Sequence, residues 1–174
     1  MPKRPLQTIL CMLISVLIAG CGFALRGTAS LPFETIYIQA PETSQFNLLL
    51  RRAIASGSTT RIVNDPKSAV ASVILISELR EKSILTLTNV GRVREFQLLY
   101  RISYRITDQA GLEVAPATEI ALNRELTYSD QNTLAKESEE NMLYRDMQND
   151  AIQQLVRRLQ ILRPTTIAPT KSPS

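Results

Sequence analysis

Two cysteines, no histidine and a scatter of carboxylates bound the chemistry open to this 174-residue chain. A thiolate is a strong nucleophile, and Cys21 stands at the end of an apolar run, directly after the small pair Ala19-Gly20. Acid–base catalysis near neutral pH falls most readily to histidine, which is absent, and no serine or carboxylate lies in a diagnostic catalytic motif. No spacing matches a zinc site, a calcium loop or a phosphate loop. Asp146 and Asp150 stand four apart and could pair around a cation, but helix acids at that spacing are commonly solvated. The chain therefore reads as a non-enzyme without metal or dissociable cofactor, whose covalent chemistry is confined to one cysteine.

The residues around that cysteine say what the chemistry is. Lys3 and Arg4 precede an apolar run from Ile9 to Ile18 that only Ser15 interrupts. The run is too short to span a bilayer as a helix, and its basic, apolar and small-residue order is that of a secretory signal. The stretch Leu17-Ile18-Ala19-Gly20-Cys21 resembles the bacterial lipoprotein signal, against the plainer readings of an ordinary signal peptide or an uncleaved anchor. That resemblance implies a signal over 1–20 and diacylglycerol with an N-linked fatty acid on Cys21, which becomes the mature N-terminus. Several acyl chains at one residue give stable anchoring where one chain gives marginal binding. Gly22 stands where an inner-membrane retention signal would place aspartate, which directs the expectation to the outer membrane.

Removing residues 1–20 leaves 154 residues, enough for one domain with a real core. Cys11 leaves with the signal, so packing rather than an internal disulfide must hold the domain. The 20 basic and 16 acidic residues give a net charge of +4, and loss of Lys3 and Arg4 brings it to +2. So mild a bias does not point to nucleic acid.

The elements that would position any binding residues follow from hydrophobic period. Residues 21–33 form a lipidated terminus and approach segment, in which Phe23, Leu25 and Arg26 either face the domain or belong to a tether. Ile36 and Ile38 alternate with polar neighbours in a strand from Glu34 to Ala40 that Pro41 stops. Phe46, Leu49, Leu50, Ala53 and Ile54 recur at helical spacing and Gly57 lies where that helix should end. Arg61-Ile62-Val63 fits a brief strand. Val70 to Leu79 reads as a strand whose continuous apolar centre predicts cover on both faces, extending with a bulge through Glu81-Lys82 to Thr88. Asn89-Val90-Gly91 reverses the chain into the clearest strand, with Leu98, Tyr100, Ile102, Tyr104 and Ile106 on one face and Leu99, Arg101, Ser103 and Arg105 on the other. Arg101 and Arg105 suit either an anion surface or a solvated sheet face. Asp108 to Gly111 turns the chain again into Ile120–Tyr128. A final helix from Asn132 to Leu162 carries Tyr144, Met147, Ala151, Ile152, Leu155, Val156, Leu159 and Leu162 on one side, with an acidic beginning and Arg157-Arg158 near its end. Residues 164–174 have the composition of a tail.

Over residues 1–163 the chain resembles the LptE, or rare lipoprotein B, family. The resemblance rests on Gly20-Cys21-Gly22-Phe23-Ala24-Leu25-Arg26-Gly27, on Gly91-Arg92-Val93-Arg94-Glu95-Phe96-Gln97-Leu98 with Tyr104, on Arg124-Glu125-Leu126-Thr127-Tyr128, and on Leu134 to Glu140 with Asp150 and Arg157-Arg158-Leu159. It implies an α+β two-layer sandwich over residues 34–163, two helices packed on a mixed four-stranded sheet. It further implies that the domain plugs the lumen of the outer-membrane barrel LptD, assists that barrel's assembly and binds lipopolysaccharide, on the periplasmic side of the outer membrane. Binding in the family is associated with a basic residue in the loop before Gly91 and a lysine early in the last helix. Lys136 matches the second; the first position is Asn89, with Arg92 and Arg94 beside it. These residues suit either the phosphates of the ligand or acidic groups of the barrel. A lipoprotein subunit of another envelope-assembly complex would share the same anchor and small domain.

Overall fold

The computed structural model of the protein describes residues 31–129 and 132–162. The expected signal, Cys21, the segment Phe23 to Arg26 and the tail lie outside them. The described residues form five strands and two long helices: β1 (Thr35–Gln39), α1 (Gln45–Gly57), β2 (Arg61–Val63), a 3-10 turn (Pro66–Ser68), β3 (Ala71–Leu87), β4 (Val93–Asp108), β5 (Glu113–Thr127) and α2 (Thr133–Ile161). The strands form one mixed sheet in the order β2-β1-β3-β4-β5. β1 runs parallel to both β2 and β3, whereas β3, β4 and β5 form an antiparallel meander. The α+β class and the two-helix layer hold, but the sheet has five strands rather than four. The additional strand is Arg61–Val63, only three residues long, which pairs on the outer side of β1. The brief strand read at these residues is thus part of the sheet, which the four-stranded count implied by the family resemblance left out; the open edge of β1 fixes its place.

Both helices lie on one face of the sheet. Ile36, Ile38, Leu98, Tyr100, Ile102, Tyr104 and Ile106 meet Phe46, Leu50 and Ile54 of α1 and Met147, Ala151, Ile152, Leu155 and Leu159 of α2 in one buried cluster. The helical spacing read from the sequence is thus the packing face, since stripes three and four apart lie along one side of a helix. Ser44 caps α1 by accepting the Asn47 N–H, and Ser58, in extended conformation, closes its end through the Ile54 carbonyl. Acidic residues are absent from the first turn of α2; Glu137, Glu139 and Glu140 come one turn later. Their interaction with the helix dipole is correspondingly weak, because that effect fades beyond the first turn.

Among the described residues no helix covers the other sheet face. Ile76 is 52% and Leu79 42% exposed, so the expectation that β3 is covered on both faces is wrong. A bulge explains the apolar run: Val73 and Leu75 face the helices opposite Ile106 and Tyr104, and Ile76 is the extra residue between the Leu75 and Ser77 pairings. Beyond it the parity of the strand inverts, and Glu78, Arg80 and Lys82 take the helix side opposite Ile102, Tyr100 and Leu98. On the uncovered face, Arg101 and Arg105 meet Glu119 and Glu113 across the strands, at 3.4 and 3.9 Å. That is the solvated-sheet arrangement rather than an unpaired cationic surface.

The two hairpins share one turn design. Gly91 N–H donates to Thr88 O and Arg92 N–H to Thr88 Oγ1; likewise Gly111 N–H donates to Asp108 O and Leu112 N–H to Asp108 Oδ1. Gly91 and Gly111 have φ of 77° and 82°, a left-handed conformation that disfavours any side chain even though space is open around both. β5 begins at Glu113, earlier than its alternating pattern suggests, and contains Pro116, which an edge strand tolerates because one side carries no ladder.

Candidate functional site

Glu78, turned inward by the bulge, organises the junction between the layers. Its Oε1 accepts from Tyr100 Oη at 2.8 Å and Gln148 Nε2 at 3.0 Å, and its Oε2 from Ser44 Oγ at 2.8 Å. One carboxylate thereby links β3, β4, α2 and the start of α1. Tyr100 and Gln148 are fully buried. Burial first, and the adjacent Glu78 carboxylate second, push the Tyr100 hydroxyl far above the usual phenol range. Tyr144 donates to the Glu81 carbonyl at 2.7 Å, and the Arg80 guanidinium stands 5.4 Å from its ring centre. Burial, then Glu140, raise the Tyr144 hydroxyl as well.

Past this junction β3, the end of β5 and the first turns of α2 enclose a cleft of about 360 Å³, lined by Lys82, Leu126, Tyr128, Thr133, Lys136, Glu137, Glu140 and Asn141. Lys82 pairs with Glu140, and its Nζ lies 4.3 Å from the ring centre of Phe96. Phe96 in turn meets Tyr128 edge-on at 5.3 Å. Lys136 Nζ is 2.8 Å from Glu139 Oε2. Both lysines are thus held by carboxylates of their own domain, so an entering anion exchanges one acceptor for another. Exposed Ile84, Leu87, Val90 and Leu134 supply apolar surface on the hairpin and on the start of α2.

Of the residues singled out from the sequence, Lys136 lines this cleft. Asn89 is an exposed residue of the Thr88–Arg92 turn, and Arg92 closes that turn through its carbonyl to Thr88 N–H. The Arg94 carbonyl accepts from Tyr128 N–H at 2.9 Å, which places Arg94 beside a cleft-lining residue without making it one. Lys82 went unrecognised because strand alternation counted from Val73 puts it outside; only the bulge turns it in. Asp150 meets Arg124 at 2.8 Å, so the Asp146–Asp150 pair is not a free carboxylate pair. Among the described residues no three His, Cys, Asp or Glu side chains group as metal ligands, and no helix is long and apolar enough to cross a membrane.

A family model described as LptE, lipopolysaccharide-assembly, matches residues 33–159. Among similar proteins, the LPS-assembly lipoprotein LptE of Yersinia enterocolitica is 29% identical over 96% of this chain and 81% of its own length. That of Pectobacterium atrosepticum is 26% identical over 90% and 86%. The solution structure of lipoprotein B from Nitrosomonas europaea superposes with a TM-score of 0.71 at 42% identity, covering 80% of this chain and 90% of that one. Rare lipoprotein B from Shewanella oneidensis shares the fold, with a TM-score of 0.62 at 23% identity over 72% and 92%.

Proposed function

Because the chain belongs to the LptE family of lipopolysaccharide-assembly proteins, we propose that it is an outer-membrane lipoprotein that seats in the lumen of an LptD-like barrel, assists its assembly and binds lipopolysaccharide as the ligand passes to the outer leaflet. Cys21 carries the acyl groups that hold the domain to outer-membrane lipid. No covalent step on the ligand is assigned, and no cofactor beyond those acyl groups. The uncovered sheet face suits a polar barrel lumen, since Arg101, Arg105, Glu113 and Glu119 alternate across it.

The observation that carries ligand binding is that Lys82 and Lys136 line one cleft, while Ile84 and Leu87 of β3 and Leu134 at the start of α2 are exposed. Lipopolysaccharide presents phosphates beside acyl chains, and a lysine ammonium can follow a phosphate while apolar side chains meet the chains. Asn89, Arg92 and Arg94 lie on the same hairpin and face either the ligand or the barrel. The test is binding of lipopolysaccharide to the full chain in detergent micelles, comparing wild type with Lys82→Gln/Lys136→Gln and low with high salt. The double variant should lose affinity, and salt should weaken the wild type. Equal affinity for both proteins would remove the cleft from the ligand's path. Co-purification of the same variants with the barrel separates ligand contact from partner contact.

A further inference from the structure

The starts of β1, β2, β3 and β5 and the end of β4 lie together at one end of the sheet, since Thr35 pairs with Arg61, Ile36 with Ala71, Ala71 with Asp108 and Thr107 with Glu113. The chain enters the domain at that end: Leu31 and Phe33 are buried just ahead of β1, and the Phe33 carbonyl accepts from Thr60 Oγ1 at 2.8 Å. α2 runs towards it. Glu140 meets Lys82, Gln148 meets Glu78 and Arg158 donates to Tyr104 Oη, on the residue opposite Leu75, so successive turns of the helix follow β3 back to its beginning.

In its last turns α2 presents Gln154, Arg157, Arg158 and Ile161 along one stripe, and these residues line an open cleft of about 430 Å³. Among the described residues neither arginine forms an ion pair, whereas Glu34 and Glu113, carboxylates of the same end, are held by Arg61 and Arg105. Asp65 and Asp108 accept N–H groups of their own turns. A cation in the last turn of a helix complements its dipole, but the dipole gives no reason for Ile161 to stand 78% exposed on the same stripe. Basic and apolar side chains together at an exposed helix end match a phospholipid surface, where guanidinium groups meet phosphates and an aliphatic side chain reaches the acyl boundary.

We propose that this end of the domain is a docking surface for the phospholipid leaflet that holds its anchor, with Arg157 and Arg158 on anionic headgroups and Ile161 beside them. The proposal rests on the acyl anchor at Cys21. Ten positions separate Cys21 from Leu31, so the domain's entry point stays within about 36 Å of the lipid, and a tether that short keeps the effective concentration of the leaflet high. The Thr88–Arg92 turn lies at the far end of the 17-residue β3 and is held about 50 Å from the docked end.

The chain contains no tryptophan, so Ile161→Trp and Val90→Trp each place a single reporter, at opposite ends of the domain and at positions 78% and 79% exposed. The acylated chain is reconstituted in phosphatidylcholine vesicles with brominated, quenching acyl chains, with or without phosphatidylglycerol. The reporter at 161 should be quenched far more when phosphatidylglycerol is present, and less at high salt; the reporter at 90 should be quenched in neither. In the Ile161→Trp chain, Arg157→Gln should lower the docked-to-free ratio about fivefold and Arg157→Gln/Arg158→Gln about thirtyfold, at the strength with which an arginine is drawn to an anionic surface. Arg157 is exposed, so the single variant tests the surface even if loss of the Arg158–Tyr104 bond unsettles the double one, which urea midpoints reveal. A reporter at 161 that is unquenched, quenched equally in both lipids or indifferent to Arg157→Gln overturns the docking surface while the chain still floats with the vesicles. Equal quenching of the two reporters does the same. A chain that does not float overturns the anchor and the docking surface with it.

Discussion

Replacing Glu78 by alanine tests whether one carboxylate ties the helices to the sheet. The substitution removes the acceptor for Tyr100 Oη, Gln148 Nε2 and Ser44 Oγ, at 2.8, 3.0 and 2.8 Å. Ser44 is half-exposed and can turn to water, but Tyr100 and Gln148 are fully buried. A buried donor left without a partner costs about 1–3 kcal/mol, so two of them set a range of about 2–6 kcal/mol. Glu78 is itself only half-buried, and water entering the vacated space will satisfy part of the loss; about 3 kcal/mol is expected. Glu78→Gln keeps one carbonyl acceptor and offers an amide to Ser44, so it should cost about 1–2 kcal/mol, the difference between charged and neutral hydrogen bonds. Urea unfolding of the full chain, followed by far-ultraviolet circular dichroism, measures both. A cost below about 1 kcal/mol for Glu78→Ala, or equal costs for the two variants, would refute the idea that these bonds hold the layers together.

Leu155 is fully buried between α2 and the sheet, so Leu155→Ala should cost about 2–5 kcal/mol in the same assay; an unchanged midpoint would mean that α2 does not pack through this side. The Tyr100 hydroxyl, raised by burial and by Glu78, stays protonated when folded, whereas in the unfolded chain it ionises near pH ~10. The unfolded state then binds fewer protons, so stability is full below that pH and falls as pH rises above it. Tyr100→Phe should flatten this alkaline decline of the urea midpoint, leaving a residue from Tyr144; an identical decline in variant and wild type would show that Tyr100 does not supply it. Cys21→Ala should abolish acylation and leave unprocessed precursor, and intact mass of the wild-type protein should show acyl groups on Cys21; their absence would end the anchoring proposal.

The two hairpin turns were legible because each is a local decision. Thr88 to Arg92 and Asp108 to Leu112 each combine a side-chain oxygen at the first position with glycine at the fourth, and that pattern closes the turn whatever surrounds it. The helices were legible for a related reason. The stripe from Tyr144 to Leu159 spans enough turns for its period to outweigh accidents, and the buried side of α2 follows it.

β3 was only half legible. A sequence records which residues alternate but not where a strand takes an extra residue, and the bulge at Ile76 depends on how β3 registers against β4. One inserted residue reverses every later side chain, since the strand period is two. That reversal takes Glu78 into the junction, Arg80 to the Tyr144 ring and Lys82 into the cleft. Residue type, turn chemistry and helix faces were therefore fixed by the chain itself, because each depends on neighbours a few positions away. Which cations share a cleft, which of them carboxylates already hold, and that the brief strand Arg61–Val63 joins the sheet beside β1 depended on pairing between distant segments, and only the assembled sheet decided them.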